Sequence, residues 1–129
     1  MINAVLVAMG GAAGALLRYG MVLLVKPHSP AFPSGTLACN LAGCLAIGFL
    51  NGWINGGPAP REPARLLLMV GLLGGFTTFS SLGLETVELL DAGRWRAALA
   101  YVVASTAGGI GLALAGYLLT APTVTGRAG

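Results

Sequence analysis

Four apolar runs constrain this chain more than any other feature of its sequence. They cover residues 2–25, 36–54, 64–90 and 95–119. Each comes close to or exceeds the roughly 20 residues with which a helix crosses the hydrocarbon core of a bilayer. The connections, KPHSPAFPSG, NGGPAPREP and DAGR, carry proline, glycine and charge. Pro27, Pro30 and Pro33 end the first run in a kinked loop, and Pro58, Pro60 and Pro63 do the same before the third. Only 9% of the residues are charged, where a soluble domain carries about 25%. The expectation is an all-α membrane protein, one four-helix domain over residues 1–129 with a flexible tail from about residue 120. The first run lacks a basic start and continues too far for a signal peptide. With short loops and no extramembrane domain, a soluble active site has nowhere to sit, so the chain is not expected to be an enzyme. Its net charge of +3 is scattered, which points away from nucleic acid.

Orientation is poorly encoded. An even number of spans puts both termini on one side, together with the second loop. That side holds Arg61, Arg65 and Arg127, and the opposite side holds Lys26, Arg94 and Arg96. The Lys/Arg bias that normally orients a membrane protein is therefore absent. Either something else sets the topology, or copies insert both ways round. The second reading gives an antiparallel, dual-topology homodimer of eight helices, related by a two-fold axis in the membrane plane. Gly10 and Gly14 share one face of the first span, and Gly108, Gly109, Gly111 and Gly116 stud the fourth. Small residues at such spacings let backbones approach closely in lipid. Packing within one chain accounts for most of them, and close approach across a dimer for the rest.

Polar groups inside the spans narrow the function, because they are costly there and mark pathways or packing contacts. Thr36 and Asn40 lie four apart on the second span, and Tyr101 and Ser105 four apart on the fourth, next to Thr106. The Asn40 amide either bonds between helices or offers a donor to a hydrated anion path. Arg18 either snorkels to the surface or supplies positive potential at a mouth. Glu85 and Glu88 sit near the end of the third span, where Glu85 is placed to line a vestibule. His28 has no ligand-type neighbours, Cys39 and Cys44 are wrongly spaced for a local disulfide, and no nucleotide motif is present.

The centre of the third span reads GGFTTFSSLGLE, residues 74–85. Two glycines followed by Thr77, Thr78, Ser80 and Ser81 in mid-span predict a discontinuous helix. Broken backbone at that depth is tolerated only where it is buried in protein or lines a cavity. Carbonyls freed at the break favour a cation, and the N-terminus of the second half favours an anion. In an antiparallel dimer the two breaks meet near the axis, where carbonyls from both copies can enclose one small cation. Phe79 adds a ring with an electropositive edge. Beside it, Thr78, Ser80 and Ser81 are neutral donors suited to a small anion that accepts strong hydrogen bonds.

The element GGFTTFSSLGLET, with GALLRYG in the first span and GTLACNLAG in the second, strongly resembles the Fluc (CrcB) fluoride channels over nearly the whole chain. The resemblance implies a dual-topology dimer in a microbial cell membrane, with two fluoride pores and a central structural sodium. It implies passive fluoride export that lowers cytoplasmic fluoride and protects against its toxicity. By motif, Gly74 and Thr77 would give backbone carbonyls to sodium. Phe79 would be a pore phenylalanine, with Thr78, Ser80 and Ser81 in the hydroxyl track. Asn40 matches the pore asparagine, and Arg18 the arginine near the vestibule. Thr36, Glu85, Tyr101 and Ser105 match further polar positions on the route. One position departs: three residues after the pore phenylalanine the family usually has a second, and this chain has Leu82. Leucine shares the face of Phe79 but offers no electropositive edge, so conduction is expected to be slower, less selective, or supported by another aromatic. Two rivals stand beside the channel. A small multidrug-type exporter in an inverted dimer wants a carboxylate deep in the first span, and none precedes Glu62. A non-conducting membrane scaffold needs neither a mid-span break nor a buried Asn.

Overall fold

The computed structural model describes residues 1–25, 31–57 and 61–120. Lys26, Pro27, His28, Pro30, Pro58, Pro60, Arg127 and the tail beyond residue 120 lie outside them. Among the described residues the protein is entirely helical. Helix α1 spans Ile2–Val25 and α2 spans Ser34–Asn55. The third span is divided into α3, residues 62–76, and α4, Phe79–Asp91. Helix α5 covers Trp95–Thr120. Four spans, with α3 and α4 counted as one, are long and apolar enough to cross a membrane. The chain is an all-α membrane protein.

The packing is built on glycine. A Cβ on Gly10 or Gly14 would fall on the carbonyl of Leu67 or Leu72, so α1 and α3 touch backbone to backbone. A Cβ on Gly48 would meet the carbonyl of Ala113, and one on Gly116 the carbonyl of Leu45, which joins α2 to the second half of α5 in the same way. Without a side chain in the seam, dispersion and Cα–H···O contacts hold the helices. Gly10, Gly14, Gly109 and Gly116 thus act within one chain, whereas a Cβ on Gly111 would meet nothing within 4 Å.

The side-chain core is small and lies between α4 and the first half of α5. It contains Leu82, Leu89, Ala98 and Tyr101, flanked by Phe32, Leu37 and Ala97. The α4–α5 turn closes through Gly93 at φ 72°, a left-handed conformation that glycine adopts without steric cost. The Arg94 N–H then returns to the Leu89 carbonyl at 2.8 Å. Leu16, Leu17, Ile110 and Leu118 stay exposed on the outer faces, as lipid-facing positions do. Two stretches, Arg65–Leu73 and Ala104–Gly108, are wound as wider π-helix, a distortion frequent at functional sites.

The break falls at two residues. Thr77 takes φ −90°, ψ 155° and Thr78 φ −151°, ψ 123°, both extended. The Thr77 hydroxyl bonds back to the Leu73 carbonyl at 2.8 Å, closing the end of α3. The Thr78 hydroxyl accepts the Ser81 N–H at 3.2 Å, capping the start of α4. Threonine is well suited to both places, because its oxygen reaches local backbone groups.

Candidate functional site

The broken backbone is held from outside its own span. In a continuous helix the Thr78 N–H would bond to the Gly74 carbonyl. Here it donates to Asn40 Oδ1 at 2.8 Å, and Asn40 Nδ2 donates to the Thr78 carbonyl at 3.1 Å. One amide on α2 therefore satisfies both backbone groups of Thr78. An amide NH₂ carries two hydrogens, so Asn40 retains a second donor, and the residue lines a cavity of about 310 Å³ beside the break.

Nearby carbonyls are treated unequally. Gly75 accepts from Arg18 Nε at 3.1 Å, so Arg18 turns inward to the break rather than out to the surface. A cation at the C-terminal end of α3 also complements the helix dipole. The Gly74 carbonyl has lost its helical donor to Asn40, and the Thr77 carbonyl has lost Ser81 N–H to the Thr78 hydroxyl. Gly74 and Thr77 both line the 310 Å³ cavity. Hard, uncharged carbonyl oxygens of this kind suit a small alkali cation. No group of three His, Cys, Asp or Glu residues is placed for a metal among the described residues, and both cysteines are free thiols.

Beyond the break, polar groups continue in register on three helices. Thr78 Oγ1, Ser80 Oγ and Ser81 Oγ form a hydroxyl cluster with separations of 3.1 and 3.2 Å. Phe79 is 82% exposed on the single chain. One turn on, Leu82 is only 7% exposed; it packs in the core and also shares the 310 Å³ cavity with Phe79. Ser105 lines the same cavity, and its buried Oγ has no hydrogen-bond partner among the described residues. Its neighbour Thr106 instead returns its hydroxyl to the Val102 carbonyl at 2.6 Å. One helical turn further, Glu85 gathers α2 and α5. Thr36 Oγ1 donates to Glu85 Oε1 at 2.7 Å, and the Tyr101 hydroxyl donates to Glu85 Oε2 at 2.5 Å. Thr36 and Tyr101 are both buried.

The residues thus form two levels. Asn40, the Thr78–Ser81 cluster and Ser105 make one; Thr36, Glu85 and Tyr101 make the next. A step of four helical residues separates them by about 6 Å. Leu82 stands between. Past the second level opens another cavity, of about 410 Å³, lined by Thr36, Glu85, Phe32, Glu88 and Arg94 among others.

Sequence reasoning left two lining residues unassigned. Phe32 meets Tyr101 edge to face at 5.6 Å, and Arg94 reaches across to the Ala31 carbonyl. Both sit in loops, where no periodicity marks them. The Asn40–Thr78 pairing was equally hidden, because its partners are 38 residues apart.

Fold and site together define a polytopic membrane protein, four spans with the third interrupted beside a buried polar track. Its sequence identifies it further. The pattern of the family described as "CrcB-like protein, Camphor Resistance (CrcB)" matches residues 5–117, and the chain belongs to that family. It is 47% identical over 109 residues to a Chloroflexus aurantiacus protein named fluoride-specific ion channel FluC, covering 84% of this chain and 86% of that one. A Pseudomonas putida protein of the same name is 46% identical over 115 residues, covering 88% and 93%. Another, from Roseiflexus sp. (strain RS-1), is 43% identical over 120 residues, covering 92% and 94%.

Proposed function

We propose that this protein is a fluoride-selective channel rather than an enzyme, and that it lets fluoride leave the cell passively across the membrane of a microbe. Two copies in opposite orientations form the working unit, and each dimer holds two pores. The observation that carries the reading is the two-level polar track through an otherwise apolar bundle. Its groups are mostly neutral donors, it contains the Ser105 hydroxyl, unpartnered among the described residues, and it starts at an exposed Phe79. An 82% exposed ring beside a hydroxyl cluster is a natural contact for a second copy.

Fluoride is small and accepts strong hydrogen bonds, so closely set hydroxyl and amide donors replace its water better than they replace that of chloride. The second Asn40 N–H, the Thr78–Ser81 hydroxyls and Ser105 receive it at the first level. The Phe79 ring edge bears a partial positive charge on the same path. At the second level Thr36 and Tyr101 both point their protons at Glu85. An anion passes there when one of these hydroxyls rotates from the carboxylate to the ion. Arg18 neutralises the carbonyl end of α3 and keeps it from repelling the anion. The Gly74 and Thr77 carbonyls, doubled by the two-fold axis, would hold sodium. Its charge there would fix the two breaks against each other.

The test is fluoride efflux from liposomes containing the purified protein, with chloride as the comparison. Rapid fluoride release with little chloride release is expected. A folded dimer that releases no fluoride would sink the reading.

A further inference from the structure

The mouth at the α4–α5 end has a charge problem. Its 410 Å³ cavity leads down to Thr36 and Glu85 and carries a second carboxylate, Glu88, on its exposed rim. Two carboxylates facing one vestibule create a negative potential that repels an arriving or departing anion. Among the described residues lining the cavity, Arg94 is the only cation.

Arg94 is also held in place. Its backbone N–H is tied to the Leu89 carbonyl at the end of α4, and its guanidinium Nη1 donates to the Ala31 carbonyl in the segment before α2. The side chain thus crosses the mouth from one wall to the other. A guanidinium has five N–H donors, so four remain after the bond to Ala31. Arg96, two residues on, has the same charge but lies over the Trp95 ring at 5.2 Å and does not line this cavity.

We infer that Arg94 sets the anion traffic of this mouth: tethered across the cavity, it offsets Glu85 and Glu88 and presents donors to hydrated fluoride between bulk water and the Thr36–Glu85–Tyr101 level. The inference rests on the fluoride-channel reading. It assigns to this end of the path a cationic side chain of its own, distinct from Arg18, which bonds to Gly75 at the break.

The experiment is fluoride efflux from liposomes at low and high ionic strength, for the wild-type protein and for Arg94→Gln, Arg94→Lys and Arg96→Gln. At about 10 mM salt, where the Debye length is roughly 30 Å, Arg94→Gln is expected to slow efflux about three- to tenfold. At about 1 M salt, where screening acts within roughly 3 Å, the difference should shrink. Arg94→Lys should recover most of the rate, and Arg96→Gln should match wild type. Equal losses in Arg94→Gln and Arg96→Gln would overturn the inference in favour of general surface charge. So would a wild-type rate in Arg94→Gln. If Arg94→Gln does not assemble, the wild-type protein decides the matter: efflux that does not depend on ionic strength overturns the inference. A wild-type protein that moves no fluoride at all refutes the channel reading itself, which is a separate outcome.

Discussion

Replacing Asn40 by alanine tests the physical core of the site. The side chain makes two hydrogen bonds, at 2.8 and 3.1 Å, to one residue of broken backbone. Removal strands the Thr78 N–H, whereas the Thr78 carbonyl loses one of two partners, because as N-cap of α4 it also accepts the first intrahelical bond of that helix. An orphaned buried group costs about 1–3 kcal/mol, and a hydrogen bond lost without an orphan about 0.5–1.5 kcal/mol. Thr78 is half-buried, so the lower part of the first range applies to its N–H and the second range to its carbonyl. Asn40→Ala should therefore destabilise the fold by about 1.5–3.5 kcal/mol. Unfolding by sodium dodecyl sulfate in mixed micelles, followed through the fluorescence of Trp53 and Trp95, measures this. Fluoride efflux should fall in parallel, because the same substitution removes a donor from the path. A variant within about 0.5 kcal/mol of wild type, the level of an ordinary surface substitution, would refute the claim that Asn40 holds the break open.

Three further outcomes follow from the track. Phe79→Ile should lower fluoride efflux without shifting the elution volume on size-exclusion chromatography; unchanged efflux removes Phe79 from the proposed pore. Ser105→Ala removes a buried hydroxyl that has no partner among the described residues, so thermal stability should hold or rise by up to about 1 kcal/mol while fluoride efflux slows. A loss of stability instead would mean that the hydroxyl has a structural bond. Leu82→Phe places a second ring on the same face as Phe79, but Leu82 is 7% exposed. Overpacking should cost about 1–3 kcal/mol, and the fluoride-to-chloride efflux ratio should rise in the assembled fraction; an unchanged ratio would show that the second ring is not what limits selectivity here.

The four spans were legible because apolar length is all that a bilayer asks of a helix. The interruption was legible in its hydroxyl residues, because the Thr77 and Thr78 oxygens bond to local backbone in place of a continuous ladder; Gly74, where the break was expected to begin, stays helical. What the sequence did not disclose was who meets whom. Gly10 and Gly14 announce a close approach, but a hydrogen atom for a side chain carries no address, and only the structure pairs them with Leu67 and Leu72 of α3. Ser105 and Thr106 are adjacent and chemically alike. The wide turn at Ala104–Gly108 leaves the Ser105 hydroxyl buried beside the cavity, and Thr106 exposed and bonded to its own helix. Arg18 was ambiguous for a similar reason: a long cationic side chain reaches either the surface or a freed carbonyl, and the choice depends on where the α3 end lies.

The placement of Asn40 also makes two spans depend on one another. In an apolar medium every backbone group needs a partner. The side chain that meets the extended Thr78 belongs to α2, and the third span offers no group of its own in place of the Thr78–Gly74 bond. The break and the helix beside it are therefore one unit of stability: any motion that parts α2 from the third span also exposes the Thr78 N–H.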